Sequence, residues 1–132
     1  MPLAGRCLSI KWALALDYHV GFRALKLTKS VAVMSAESNR YVEAYNTNVN
    51  GSTDRGLFQI NSIHDSQISP EEAFKAIPNA QFAFKLSKGG KDFSPWYAYG
   101  GARYLLYYTT VLAVQALQTW RLRVPRVEKE LG

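Results

Sequence analysis

The stretch SAESNRYVEAYNTNVNGSTDRGLFQINS, residues 35–62, decides how the rest of the chain is read. It carries one carboxylate, Glu37, at the end of an apolar run, and a second, Asp54, just after a turn signal. Glu37 lies three residues after Met34 and four after Val33, so on a helix its carboxyl emerges beside apolar side chains. Such surroundings disfavour the ionised form and raise the pKa. Asp54 follows Asn50-Gly51, a strong hairpin signal because a type I′ turn needs positive φ at both central residues. Two carboxyls in such different settings suit one to donating a proton and the other to staying ionised. Between them the chain is rich in Asn, Ser, Thr and Gly, side chains fit for hydrogen-bonding a sugar.

Working outward, residues 8–18 predict a short amphipathic helix and residues 19–22 a connection containing Gly21. A second helix is expected over residues 23–38, with Leu27, Val31, Met34 and Ser38 in one row and Ser30, Val33 and Glu37 in the next. Beyond the hairpin, Phe58 and Ile60 alternate with Gln59 and Asn61, which predicts a strand with one face inward and one toward a ligand. Ser69-Pro70-Glu71-Glu72 has an N-cap serine, a proline at the first position and a capping-box glutamate. Pro78 is expected to end that helix, and residues 79–88 to form another, capped by Gly89-Gly90. Ser94-Pro95-Trp96 reads as a further helix start, broken at Gly100-Gly101. Residues 102–123 predict the longest helix, and Pro125 with the mixed charges of 126–130 reads as a tail.

Length and composition bound the function. A chain of 132 residues, 48% hydrophobic with 8 Tyr, 6 Phe and 3 Trp, predicts one domain over 1–132 with a core that needs no staples. The one cysteine, Cys7, leaves no intramolecular disulfide to depend on an oxidising compartment. A formal net charge of +6 attracts polyanions, whether nucleic acid, membrane surfaces or anionic cell-wall polymers, and by itself does not choose among them. No nucleic-acid partner is expected, because no RNA-binding aromatic motif or zinc-finger spacing is present. Residues 104–120 hold no charge, yet threonines and glutamines dilute them and seventeen residues sit at the lower limit of a span. No stable membrane insertion is expected. Residues 1–17 make a poor signal peptide, since Lys11 interrupts the apolar run and Asp17 closes it. No metal is expected, His64 having no partner ligands at metal spacing, and no cofactor is predicted.

Glu37-Ser38-Asn39, the run from Asn50 to Asp54, and Gly56-Leu57-Phe58-Gln59-Ile60-Asn61-Ser62 together resemble the core signature of C-type lysozymes. Asn79-Ala80 and Ser94-Pro95-Trp96-Tyr97-Ala98-Tyr99 resemble that family's later helices. The run Asp54-Arg55-Gly56 with His64, and the near-absence of cysteine, resemble the transglycosylase or lysozyme-like domains of bacteriophages. The resemblance implies an α+β, lysozyme-like fold, mostly helical, with a small antiparallel β-hairpin lining a cleft. It implies cleavage of β-1,4 bonds between N-acetylmuramic acid and N-acetylglucosamine in peptidoglycan glycan strands. In the division of labour carried over from lysozyme, Glu37 is the general acid and Asp54 the nucleophile or electrostatic stabiliser. Trp96 matches an aromatic that packs against the acid. Asn48, Gln59 and Asn61 match cleft positions that orient the second carboxylate or bind sugar, and His64 a rim position held by tryptophan in the secreted enzymes. The implied setting is a phage endolysin or virion-associated lysin, made in the host cytoplasm or carried in the virion. Two other activities are compatible with these residues: a lytic transglycosylase forming 1,6-anhydro ends, or a non-catalytic wall-binding or structural module.

Overall fold

Leu27, Val31, Ala32, Val33 and Met34 are all buried, so the helix that carries them is packed on nearly every side. This is α2 (Ala24–Ser38), held between α1 (Ile10–Val20) and α5 (Ala102–Ala116) in a computed structural model that describes residues 5–132. Ser9 caps α1 by accepting a hydrogen bond from the Trp12 N–H, which starts the helix two residues later than periodicity suggests. Gly21 closes it at φ 128°, against the Phe84 ring, where a Cβ would sit 2.8 Å from a ring carbon. Phe22 follows at the centre of an aromatic cluster, with its ring centroid 5.0 Å from that of Phe84 and 6.1 Å from that of Phe93. At the other end of α2, Asn39 takes the left-handed conformation (φ 52°) that ends many helices.

The chain then forms β1 (Tyr45–Thr47), β2 (Thr53–Arg55) and β3 (Ile60–Asn61), a three-stranded antiparallel sheet in the order β1-β2-β3. The hairpin is present, but its turn is not the expected two-residue type. Thr47 pairs with Thr53, and a five-residue loop, Asn48 to Ser52, joins the strands, closed by the Asn48 N–H donating to the Ser52 carbonyl at 2.8 Å. Only Gly51 in it has positive φ, 86°. Asn50 instead accepts the Ser52 N–H at 3.0 Å through its side chain, which holds the longer loop in place. Phe58 and Gln59, expected in a strand, lie in the tight turn between β2 and β3, with Gln59 at φ 49°. Phe58 is fully buried there because Asn79 receives its N–H at 2.9 Å.

The 3-10 turn Ser62–His64 leads to α3 (Pro70–Ala73), where the capping box forms as expected between Ser69 and Glu72. Pro78 does not end that helix. It occupies the third position of α4 (Ala76–Leu86), where no intrahelical donor is needed and proline costs little. The Ser94-Pro95-Trp96 stretch is a series of turns and not a helix. Trp96 is pulled inward there, its indole N–H donating to the Phe58 carbonyl at 2.8 Å, and burial of that ring outweighs the local capping signal. The final segment is also no tail. It forms α6 (Val124–Leu131), which buries Val127 and Leu131 against the body, with Pro125 at its start. Cys7, unpaired, donates weakly to the Asn39 carbonyl at 3.4 Å. No helix among the described residues is long and apolar enough to cross a membrane.

Candidate active site

The end of α2, the sheet and the turns of residues 93–101 converge on one cleft of about 250 Å³. Glu37, Asp54, Gln59, Asn61, His64 and Trp96 all line it, together with Ile60, Leu86, Pro95 and Tyr97. Six of the seven residues singled out in the sequence therefore share one wall-to-wall space. The seventh, Asn48, reaches it only through Asp54.

Glu37 is half-buried in the last turn of α2, after the buried Met34, Ser35 and Ala36. Its Oε1 accepts the Ala98 N–H at 3.3 Å. Burial pushes its carboxyl above the usual range, and the charge of Asp54 pushes in the same direction. The Ala98 amide and the Arg103 guanidinium oppose the shift, and burial prevails.

Asp54 sits in the middle strand, opposite Asn46 on one side and Asn61 on the other. One side-chain amide serves each of its oxygens: Asn61 Nδ2 donates to Oδ1 at 2.8 Å and Asn48 Nδ2 to Oδ2 at 3.0 Å. Both amides also reach the Ser52 hydroxyl oxygen, at 3.1 Å from Asn61 and 3.0 Å from Asn48. Their orientations are determined by their other ends. Asn61 Oδ1 caps the 3-10 turn by accepting the Ile63 N–H at 2.9 Å, and Asn48 Oδ1 accepts from Asn46 Nδ2 at 3.1 Å. The carboxylate is thus held by two amides that are themselves held, the kind of pre-organisation that charge stabilisation requires.

The remaining candidates divide by how free their polar atoms are. Gln59 spends its amide nitrogen on the Ala44 and Gly56 carbonyls, at 3.1 and 3.0 Å, which leaves only its oxygen for a ligand. Trp96 is 5% exposed, with its ring between Phe58 and Phe93, so it forms the floor of the cleft. His64 stands at the rim with its ring 5.2 Å from Phe82. Three participants were not read from the sequence. Tyr97 lines the cleft and is fully exposed; its neighbours in an aromatic-rich run were the available signal. The Ala98 amide and Arg103 act on Glu37 from more than sixty residues away, and no local pattern marks them. No group of three or more His, Cys, Asp or Glu side chains that could hold a metal ion occurs among the described residues.

A carboxyl whose pKa is raised by burial at a helix end and a second carboxyl held by two amides share a single groove, an arrangement suited to acid-assisted cleavage of a glycosidic bond. Comparison with known proteins agrees at the level of family. Residues 14–98, from α1 to the turn that supplies the Ala98 amide, match the family described as Lysozyme like domain. No curated protein and no solved structure matches the chain. The match covers well over half of the chain and includes every residue of the cleft, and it implies a lytic enzyme acting on peptidoglycan. The chain therefore belongs to the lysozyme-like domain family.

Proposed function

We propose that the protein is a muramidase that cleaves the β-1,4 bond between N-acetylmuramic acid and N-acetylglucosamine, acting as a single catalytic domain. The observation that carries this reading is the contrast between two carboxyls in one cleft. Burial, with the charge of Asp54, raises the pKa of Glu37 above the usual carboxylate range. Glu37 donates its proton to the glycosidic oxygen as the leaving group departs. Asp54, with both oxygens held by amides, faces the positive charge that develops at the anomeric carbon, as nucleophile or as counter-charge. Water then adds at that carbon, and Glu37 takes up its proton. Asn61 and Gln59 Oε1 supply polar contacts along the strand, with Trp96 beneath it and Tyr97 and His64 at the rim. The lone cysteine accords with a phage-encoded lysin that matures in the host cytoplasm or travels in the virion.

A second reading, a lytic transglycosylase, is favoured by the family match itself. In that reaction the muramic acid C6 hydroxyl attacks the anomeric carbon in place of water, and Asp54 serves only to order the sheet. Mass analysis of muropeptides released from purified peptidoglycan separates the two. Hydrolysis leaves reducing ends that carry one added water; the intramolecular reaction leaves 1,6-anhydro ends lighter by that water. Predominantly anhydro ends would overturn the muramidase reading, and the absence of any glycan cleavage would return the chain to the wall-binding module.

A further inference from the structure

α5 presents an apolar face that nothing among the described residues covers. Its inner side buries Tyr104 and Val111 against the body, and its outer side carries Leu105 (58% exposed), Leu106 (74%), Leu112 and, just past its end, Leu117 (67%). Thr109, Thr110, Ala113 and Ala116 fill the positions between, all exposed, so no charge interrupts the stripe. A contiguous exposed patch of this kind on a soluble domain marks an interaction surface.

The charge around it is one-sided. From residue 93 to residue 127 the chain holds four arginines and no acidic residue. Arg103 lies at the start of α5, while Arg121, Arg123 and Arg126 follow its end. The only ion pair among the described residues is between Arg55 and Asp65, so none of these four is in direct contact with a carboxylate, and Arg103 acts on Glu37 only at longer range.

Just beyond α5 a small cavity of about 100 Å³ opens, lined by Tyr18, His19, Arg23, Trp120 and Arg121 among others. Trp120 is anchored to the last turn of α5 through its indole N–H, 2.8 Å from the Gln115 carbonyl. The Arg23 guanidinium lies 3.6 Å from the Tyr18 ring centroid, and that of Arg121 lies 5.0 Å from the same ring. Arg23 uses Nη1 on the Tyr18 and Phe22 carbonyls and Arg121 uses Nη2 on the Tyr18 hydroxyl, which leaves further guanidinium donors free on both. The Nδ1 atom of His19, which lines the same cavity, is buried and has no partner among the described residues. Two unpaired guanidiniums on an aromatic platform suit a phosphodiester oxyanion.

We propose that α5 and the arginine–aromatic cavity at its C-terminal end form a docking surface for an anionic phospholipid membrane. The leucines of α5 enter the interfacial layer, and Arg23 and Arg121 hold a headgroup phosphodiester. At 1.5 Å per residue the 15-residue helix is about 22 Å long, short of a hydrocarbon core of roughly 30 Å, so it lies in the interface plane. A second copy of the chain is the poorer occupant, because pairing two such faces would bring like-charged arginine rims together on two molecules of net charge +6. Nucleic acid would use the arginines but leave the leucines in water.

The test is sedimentation of the full chain with vesicles of phosphatidylglycerol and phosphatidylcholine in equal parts, against vesicles of phosphatidylcholine alone. Partitioning should favour the anionic vesicles by at least tenfold. Leu106→Glu with Leu117→Glu should lower it about tenfold or more, and Arg23→Gln with Arg121→Gln about tenfold. Because Leu106 and Leu117 are exposed, their variant should melt with the parent, which a thermal scan checks. Equal binding to neutral vesicles would overturn the proposal. So would binding that persists in the leucine variant but vanishes in the arginine variant, since phosphate chemistry alone would then suffice. Self-association of the parent that the leucine variant abolishes, or binding of a DNA duplex that the leucine variant leaves unchanged, would assign the face to another occupant.

Discussion

The Oε1 atom of Glu37, in the last turn of α2, accepts the backbone N–H of Ala98 across 61 residues of chain, at 3.3 Å. This contact joins the helix that makes the carboxyl apolar to the turns that close the cleft over it. It also shows why an amide can replace the acid without disturbing the fold, since a glutamine oxygen accepts the same N–H. Glu37→Gln should therefore melt with the parent and lose glycan cleavage by roughly 10²–10⁴-fold, the usual contribution of a general acid. Turbidity loss of peptidoglycan beside a thermal scan measures both. Turnover close to that of the parent would remove Glu37 from the chemistry.

The pH dependence follows from the same carboxyl. A general acid works while protonated, so activity falls as pH rises through the Glu37 pKa, which lies above the ordinary carboxylate range. Asp54 raises that pKa and Arg103 lowers it. Asp54→Asn should hence move the alkaline limb of the profile to lower pH, and Arg103→Gln should move it higher. Limbs that coincide in all three proteins would mean that another group governs the profile.

Asn61 and Asn48 both hold Asp54, but only Asn61 also caps the 3-10 turn. Asn61→Ala should slow cleavage and cost about 1–2 kcal/mol of stability, the range for losing a capping side chain with its hydrogen bonds. Asn48→Ala should slow cleavage at a smaller cost to stability. Denaturant melts set against kcat would expose the difference. Equal stability losses would show that the cap at Ile63 contributes nothing.

Asp17 lies away from the cleft, fully buried in α1, with its Oδ2 receiving the Ser30 hydroxyl at 2.6 Å and its Oδ1 unpartnered among the described residues. Burial pushes its pKa from 3.8 up to about 8, against the smaller opposing effect of the Ser30 hydrogen bond. Below the lower value both folded and unfolded chains hold the proton. Between the two values the unfolded chain releases it while the folded chain keeps it, so stability should fall as pH rises and level off above the upper value. Asp17→Asn removes this dependence and should raise the melting temperature at pH 8 by roughly 5 °C or more. A parent protein whose melting temperature is flat from pH 5 to 8 would contradict the buried neutral carboxyl.

Asn79 ties the β2–β3 turn to the helices. Its Oδ1 receives the Phe58 N–H at 2.9 Å, and its Nδ2 donates to the Arg55 and Ala73 carbonyls at 3.0 and 2.7 Å. Asn79→Ala leaves a buried N–H unpaired and should cost about 3 kcal/mol, since an orphaned buried donor incurs its full desolvation penalty. Urea unfolding measures it. A loss well below 1 kcal/mol would indicate that water replaces the side chain.

Much of the site was legible in the chain because its determinants are local. Whether Glu37 emerges beside apolar residues depends on Val33 and Met34, one turn away on the same helix. The return of Asp54 depends on a turn signal a few residues before it, and Asn61 faces it because β2 and β3 are nearly contiguous. The capping box at Ser69 and Glu72 formed for the same reason. What the tertiary structure alone decided are the features in which a distant partner outweighs a local preference. The Trp96 indole found the Phe58 carbonyl, and its burial turned a helix start into a run of turns. Val127 and Leu131 found the core, and a mixed-charge end became α6. The Ala98 amide and Arg103 reach Glu37 only because α5 folds back on α2. A helix or a capping box spends its hydrogen bonds within one turn and can be read there, whereas a carboxyl's proton affinity sums burial and charge over everything the fold brings near it.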